Sequence, residues 1–156
     1  MHIRHVEVLD YNYIHSVIND WWGGRKMSDM LPKLFFVHFR DTSFVAEENG
    51  QVIGFVIGFI SQTFPSEAYI HFVGVDPAYR KQDIGRKLYE IFIKTVRKKH
   101  CQTIRCITSP VNQKSIAFHT KLGFAIEPGD AKVDGVSVTK NYDGAGGDRV
   151  RFRKDL

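Results

Sequence analysis

Apolar and polar positions change their spacing several times along this chain, and each change marks an element. Ile3 to Val8 reads as a first strand. Asp10 then opens a helix to about Asp20, with Tyr13, Ile14, Val17 and Ile18 on its inner face and Asp10 as its cap. Trp21-Trp22-Gly23-Gly24 ends it, because glycine takes the left-handed conformation that stops a helix. Met27 to Phe39 is expected to form a second helix starting near Ser28 or Asp29, with Pro32 tolerable only in a first turn. Phe44 to Glu47 and Gln51 to Ile60 alternate as strands around Glu48-Asn49-Gly50, a strong hairpin signal. Gly54 and Gly58 in the second strand point to a close backbone approach or a bulge.

Tyr69 to Val75 is the most strand-like run of the chain. Pro77 stops it, since proline lacks the ladder N–H. A basic turn follows, and then Ile84, Leu88, Ile91, Phe92 and Val96 line one face of a helix. Strand, basic turn and helix N-terminus make an anion cradle: the first helical N–H groups have no partner within the helix and carry partial positive charge. Gly85 has no Cβ to hold a phosphate off the backbone. The segment is neither a P-loop nor a dinucleotide fingerprint, because G-x-x-x-x-G-K-[ST] and G-x-G-x-x-G are both absent. Thr103 to Ser109 is the next strand and Asn112 to Lys121 the next helix. Phe124 to Glu127 begins a last strand pair. A Gly/Asp-rich loop from Asp143 to Asp148 leads into a terminal strand, Arg149 to Lys154. A strand, a crossover helix and a further strand predict a mixed sheet with helices on both faces.

Arg80-Lys81-Gln82-Asp83-Ile84-Gly85 resembles the Q/R-x-x-G-x-G/A motif of the GNAT N-acetyltransferase superfamily. Asn112-Gln113-Lys114-Ser115-Ile116-Ala117-Phe118-His119-Thr120-Lys121-Leu122-Gly123-Phe124 resembles its second signature, an Asn-led helix ending in Lys-Leu-Gly-Phe. A helix and a strand separate the two, as in that superfamily. The likeness covers most of the chain from about Val45 onward. It implies an α/β fold: a central mixed, mostly antiparallel twisted sheet of six to seven strands, with about four helices on its two faces. It also implies direct transfer of an acetyl group from acetyl-coenzyme A to a primary amine of a small molecule, peptide or protein, without a covalent enzyme intermediate. A protein that binds acyl-coenzyme A without transferring from it is the alternative.

By that resemblance, Val73, Gly74 and Val75 pair with the pantetheine arm. Arg80, Lys81, Gln82, Asp83, Ile84, Gly85, Arg86 and Lys87 surround the pyrophosphate, and Asn112, Ser115 and Lys121 contact the coenzyme. Asp83 stands where the superfamily usually has Gly. It reads as a helix cap with its carboxylate turned away from phosphate. The superfamily's general base, a strand Glu, corresponds to His71. A neutral imidazole can accept the ammonium proton, and a histidine merely facing the sheet surface is the other reading. The superfamily's acid Tyr corresponds to His119, whose imidazolium can protonate a leaving thiolate; a thiolate that leaves without a dedicated acid is the other reading. Trp21, Trp22 and Arg25 fall where the acceptor pocket is bordered. Two aromatic faces and a guanidinium suit an amine that also carries an anionic group, while a Trp pair that pins the first helix is the plainer reading.

Composition narrows the rest. With 156 residues, 43% hydrophobic and 25% charged, the chain is expected to be one globular domain with a core. The formal charge is +5. Arg80, Lys81, Arg86 and Lys87 place part of it at the cradle, and Lys94, Arg97, Lys98 and Lys99 read as a solvated helix face. No nucleic-acid motif accompanies this charge. Cys101 and Cys106 lack C-x-x-C spacing and predict free thiols in a cytoplasmic protein. No leader-like apolar run follows Met1, and no apolar run is long enough to span a membrane. No metal motif is present. The expected partner is a small-molecule or peptide amine, and the expected state a monomer or homodimer.

Overall fold

The computed structural model describes residues 1–156. Strands are β1 (His2–His5), β2 (Phe44–Glu48), β3 (Gln51–Ile60), β4 (Glu67–Val75), β5 (Thr103–Thr108), β6 (Ala125–Ile126), β7 (Ala131–Val133), β8 (Val136–Val138) and β9 (Val150–Asp155). Helices are α1 (Asp10–Trp21), α2 (Leu34–His38), α3 (Ile84–Lys98) and α4 (Gln113–Lys121). Seven strands form one sheet in the order β1-β2-β3-β4-β5-β9-β6, while β7 and β8 pair separately. Only β4 and β5 run parallel. Their pairing covers Glu67, Ala68 and Tyr69 against Thr103, Ile104 and Arg105 and then stops. Beyond Tyr69 the two strands part, and β4 stays paired only with β3.

One core lies under α3 and α4, built on Ile53, Val56, Ala68, Ile70, Leu88, Phe92 and Phe152. A second lies under α1 and α2, built on Ile14, Ile18, Trp21, Phe36, Phe55, Ile57 and Phe72. The two glycines of β3 let α3 approach the sheet. A Cβ on Gly54 would stand 3.0 Å from Ile84, and one on Gly58 would stand 2.7 Å from the Tyr69 carbonyl and against the Phe92 ring. The β3–β4 register also slips at this point. Ile57 faces Phe72 and Gly58 faces Ile70, leaving His71 as the extra residue of a bulge. The bulge turns His71 and Phe72 toward the same face of the sheet, so both meet the α1–α2 layer.

Two sequence expectations are corrected and one element is added. The expected helix from Met27 to Phe39 is a 3-10 turn, Ser28–Met30, followed by the five-residue α2. Pro32 separates them, since the residue before a proline is pushed out of the helical region. Asp10 is the first residue of α1 rather than its cap. Its carboxylate accepts from the Glu7 amide (2.7 Å) and from both terminal nitrogens of Arg4 (2.9 Å each). The last strand pair forms as expected, β6 with β9, but a separate β7–β8 hairpin that was not expected intervenes. Asp134 and Gly135 both have positive φ, 50° and 78°, as a type I′ turn needs.

Candidate active site

Where β4 leaves β5, a cleft of about 800 Å³ opens. Val73, Gly74 and Val75 form one wall, the loop from Tyr79 to Arg86 another, the α4 face from Asn112 to Leu122 a third, and Trp21, Trp22, Gly23 and Arg25 the fourth. The cleft thus gathers sixteen of the nineteen residues singled out in the sequence. Gln82 and Lys87 of the cradle and His71 are not among its lining. Tyr79, Lys114, Phe118 and Leu122 line it without having been singled out, and for Phe118 the helical spacing from Ser115 and Leu122 was the available signal.

The cradle is shaped by backbone conformation. Lys81 (φ 70°) and Asp83 (φ 61°) are both left-handed, a conformation that costs a side-chain-bearing residue about 1 kcal/mol and turns successive N–H groups to one side. The left-handed turn at Asp83 is the physical reason a Gly suits this position. No side chain caps α3, and its first backbone bond is Lys87 N–H to the Asp83 carbonyl. The N–H groups of Ile84, Gly85 and Arg86 therefore have no partner in the helix, and all three residues line the cleft. A Cβ on Gly85 would stand 3.2 Å from the Phe118 ring, so this glycine sets how closely α3 and α4 converge. In α4, by contrast, the Asn112 side chain accepts from the Ser115 amide at 3.1 Å.

Asp83 does not cap α3 with its side chain, contrary to expectation. Its carboxylate lies 3.4 Å from the Arg86 guanidinium, which also pairs with Glu90. Arg80 donates from Nη2 to the Trp21 carbonyl (2.7 Å), tying the cradle to the end of α1. Arg25, Lys81, Lys114 and Lys121 line the cleft free of ion pairs, against the single acid Asp83. The cleft therefore carries a net positive charge.

His119 is buried and held on both ring nitrogens. Nδ1–H donates to the Ser115 carbonyl (2.7 Å), and Nε2 accepts from the Tyr89 hydroxyl (2.8 Å). The ring also stacks on Phe152 at 4.6 Å. Burial pushes its pKa below the usual imidazole range, opposed by the Ser115 bond. His119 is thus a neutral ring, held at both nitrogens, that anchors α4. Tyr89, its fully buried partner on α3, was not foreseen, since it reads as one more apolar position of that helix.

His71 lies two residues before Val73, on the face toward α2. Its ring stacks on Phe35 (4.2 Å, 6° between planes), and Nε2–H donates to the Met30 carbonyl (2.6 Å). Nδ1 has no protein partner. No buried side-chain nitrogen or oxygen is left unpaired, so Nδ1 opens to solvent. Burial again lowers the pKa, and the ring is the free base at neutral pH. Gly74 brings Trp22 onto this part of β4, because a Cβ there would stand 2.8 Å from the indole and 2.7 Å from Phe55. No group of three or more His, Cys, Asp or Glu side chains is arranged to hold a metal ion, and no helix is long and apolar enough to cross a membrane.

Comparison with known proteins agrees with this geometry. Residues 11–124 match the family model described as the acetyltransferase (GNAT) family. The chain is 33% identical over 104 residues to an L-2,4-diaminobutyric acid acetyltransferase of Virgibacillus pantothenticus, a match covering 67% of this chain and 61% of the relative. It is 32% identical over 85 residues to a ribosomal protein bS18 alanine N-acetyltransferase of Escherichia coli, covering 54% and 55%. The chain thus spans little more than half the length of these curated relatives. The crystal structure of a putative GNAT-family acetyltransferase of Desulfovibrio desulfuricans superposes with a TM-score of 0.80 at 18% identity, over 99% of this chain and 98% of that one, and shows the same fold.

Proposed function

The chain belongs to the acetyltransferase (GNAT) family, and on that premise we propose that it transfers an acetyl group from acetyl-coenzyme A to a primary amine. One observation carries the reading: the parting of β4 from β5 opens a positively charged cleft onto the uncapped N-terminus of α3. The residues fit the coenzyme. The free N–H groups of Ile84, Gly85 and Arg86 suit a pyrophosphate, and the bare Gly85 lets it reach them. Lys81, Lys114 and Lys121 add charge, and Gln82 and Lys87 extend the cradle outside the cleft lining. The β4 edge at Val73, Gly74 and Val75 offers backbone groups unpaired with β5 to a pantetheine amide. Bound there, acetyl-coenzyme A supplies an activated acetyl thioester.

The chain's own part is to orient and to move a proton. Trp22 and Arg25 receive the amine, and Arg25, free of ion pairs, suits a carboxylate or phosphate on the same molecule. His71 lies outside the cleft lining, so it accepts the ammonium proton at Nδ1 through water, while the Met30 carbonyl fixes the tautomer. Asn112 and Ser115 hold the start of α4 against the coenzyme, and His119 holds the helix itself.

The test is release of coenzyme A thiol from acetyl-coenzyme A with and without an amine. The relatives' names supply two amines to begin with, L-2,4-diaminobutyrate and an alanine-led peptide. Amine-dependent thiol release supports the reading. Tight coenzyme binding without release for any amine of a broad panel would make the protein a coenzyme binder instead.

A further inference from the structure

A second cavity, about 630 Å³, lies at the other end of the molecule. The coenzyme cleft sits at the N-terminus of α3, whereas this cavity is bordered by Lys99, just past its C-terminus. Fifteen helical residues place the two about 22 Å apart along that axis. Its apolar lining is Val37, Phe39, Phe59 and Ile60, and its polar lining carries His5, His38, Arg40 and Lys99 beside one acid, Asp41. None of these polar side chains takes part in an ion pair, although eleven ion pairs form elsewhere on the surface.

The polar lining is organised. Arg40 donates from Nε to the Val6 carbonyl (3.1 Å), which fixes the guanidinium plane and leaves both terminal nitrogens without a protein acceptor. The Arg40 carbonyl in turn accepts from His5 Nδ1–H (2.8 Å), and the His5 ring packs on Phe44 at 4.6 Å. A guanidinium held by its Nε presents the two-pronged edge that a carboxylate accepts. Phe39 and Phe59 meet at 5.3 Å in the apolar lining. The volume falls within the range of small-molecule sites.

We propose that this cavity binds a small organic anion, an aromatic or aliphatic carboxylate. Its head group pairs with the Arg40 terminal nitrogens and the Lys99 ammonium, and its apolar body rests on Phe39, Phe59 and Ile60. The site stands apart from the coenzyme cleft and does not rest on the acetyltransferase reading.

Nitrogen–proton NMR titration with 4-phenylbutyrate tests it, with 4-phenylbutanol, acetate and a polyglutamate peptide as controls. The expected result is saturable shifts of the Arg40, Phe59, Ile60 and Lys99 amides with 4-phenylbutyrate, while the Gly85 and Ser115 amides of the cleft stay in place. The neutral alcohol and acetate bind at least tenfold more weakly. Lys99→Glu, which breaks no bond of the fold, and Arg40→Gln each weaken binding by about tenfold, as loss of a charge-assisted contact should. No saturable shift, shifts confined to the cleft, equal binding of the alcohol, or binding of polyglutamate alone would overturn the proposal.

Discussion

At the scale of single residues, two histidines with depressed pKa values do different things because of what their nitrogens touch. His71 keeps Nδ1 free and His119 keeps neither nitrogen free. Turnover should therefore rise with pH through a value below the ordinary 6.5, since the base acts only when neutral. His71→Ala should lower kcat by about 10²–10⁴-fold, abolish that limb, and leave coenzyme affinity nearly unchanged. A pH–rate profile of the variant that kept both the limb and the rate would remove His71 from the reaction. For His119 the consequence is stability. Its folded pKa lies below its unfolded value of 6.5, so the unfolded chain binds the proton more readily. The stabilisation is complete above 6.5 and is lost as pH falls from there through the folded value. Thermal melting against pH should show this slope, and His119→Gln should flatten it. Asp83 lies 69% exposed at the cleft mouth. Asp83→Asn keeps a residue that tolerates left-handed backbone and removes the negative charge, while Arg86 stays paired with Glu90. Coenzyme should bind about two- to fivefold tighter, an effect that salt suppresses. Titration at two salt concentrations would show it, and weaker binding would mean that the carboxylate supports the loop.

At the scale of elements, α3 does most to build the site, and two glycines of β3 decide where it lies. Gly58→Ala would press a methyl group between the Phe92 ring and the Tyr69 carbonyl. It should destabilise the fold by about 1–3 kcal/mol, readable by denaturant unfolding, and an unchanged midpoint would show that α3 shifts without cost. These elements were legible in the sequence where period and turn chemistry agreed. Asn49-Gly50 did form its type I′ hairpin turn, with φ of 51° and 79°, and the spacing from Ile84 to Val96 gave α3 within a residue or two. The stretch from Met27 to Phe39 was not legible, because its aromatic spacing looks helical while Pro32 breaks it. The β7–β8 hairpin carried an Asp134-Gly135 signal, but its strands are three residues each and give almost no period to read. Gly58 hinted at the bulge, and the β3–β4 register does slip there, but the sequence did not say that His71 would be the extra residue, since a register slip depends on the partner strand.

At the scale of the whole molecule, the cleft brings together residues from α1, β4, the cradle loop, α3 and α4, from Trp21 to Leu122 along the chain. Two ordered motifs made the walls at the cradle loop and α4 visible in advance. The wall at Trp22 was less legible, because Trp22 reaches β4 only through the missing side chain of Gly74, a pairing across fifty-two residues that no local pattern records. Arg80 joins the cradle loop to that wall by donating to the Trp21 carbonyl. The central claim is that the mouth between β4 and β5 holds acetyl-coenzyme A on the free amides of α3. Calorimetric titration of the protein and of Gly85→Glu with acetyl-coenzyme A, with ADP as a control, tests it most directly. The account predicts saturable binding by the native chain and loss of at least tenfold in affinity in the variant, whose side chain would carry negative charge onto those amides. No binding by the folded native protein, or equal affinity in the variant, would contradict it.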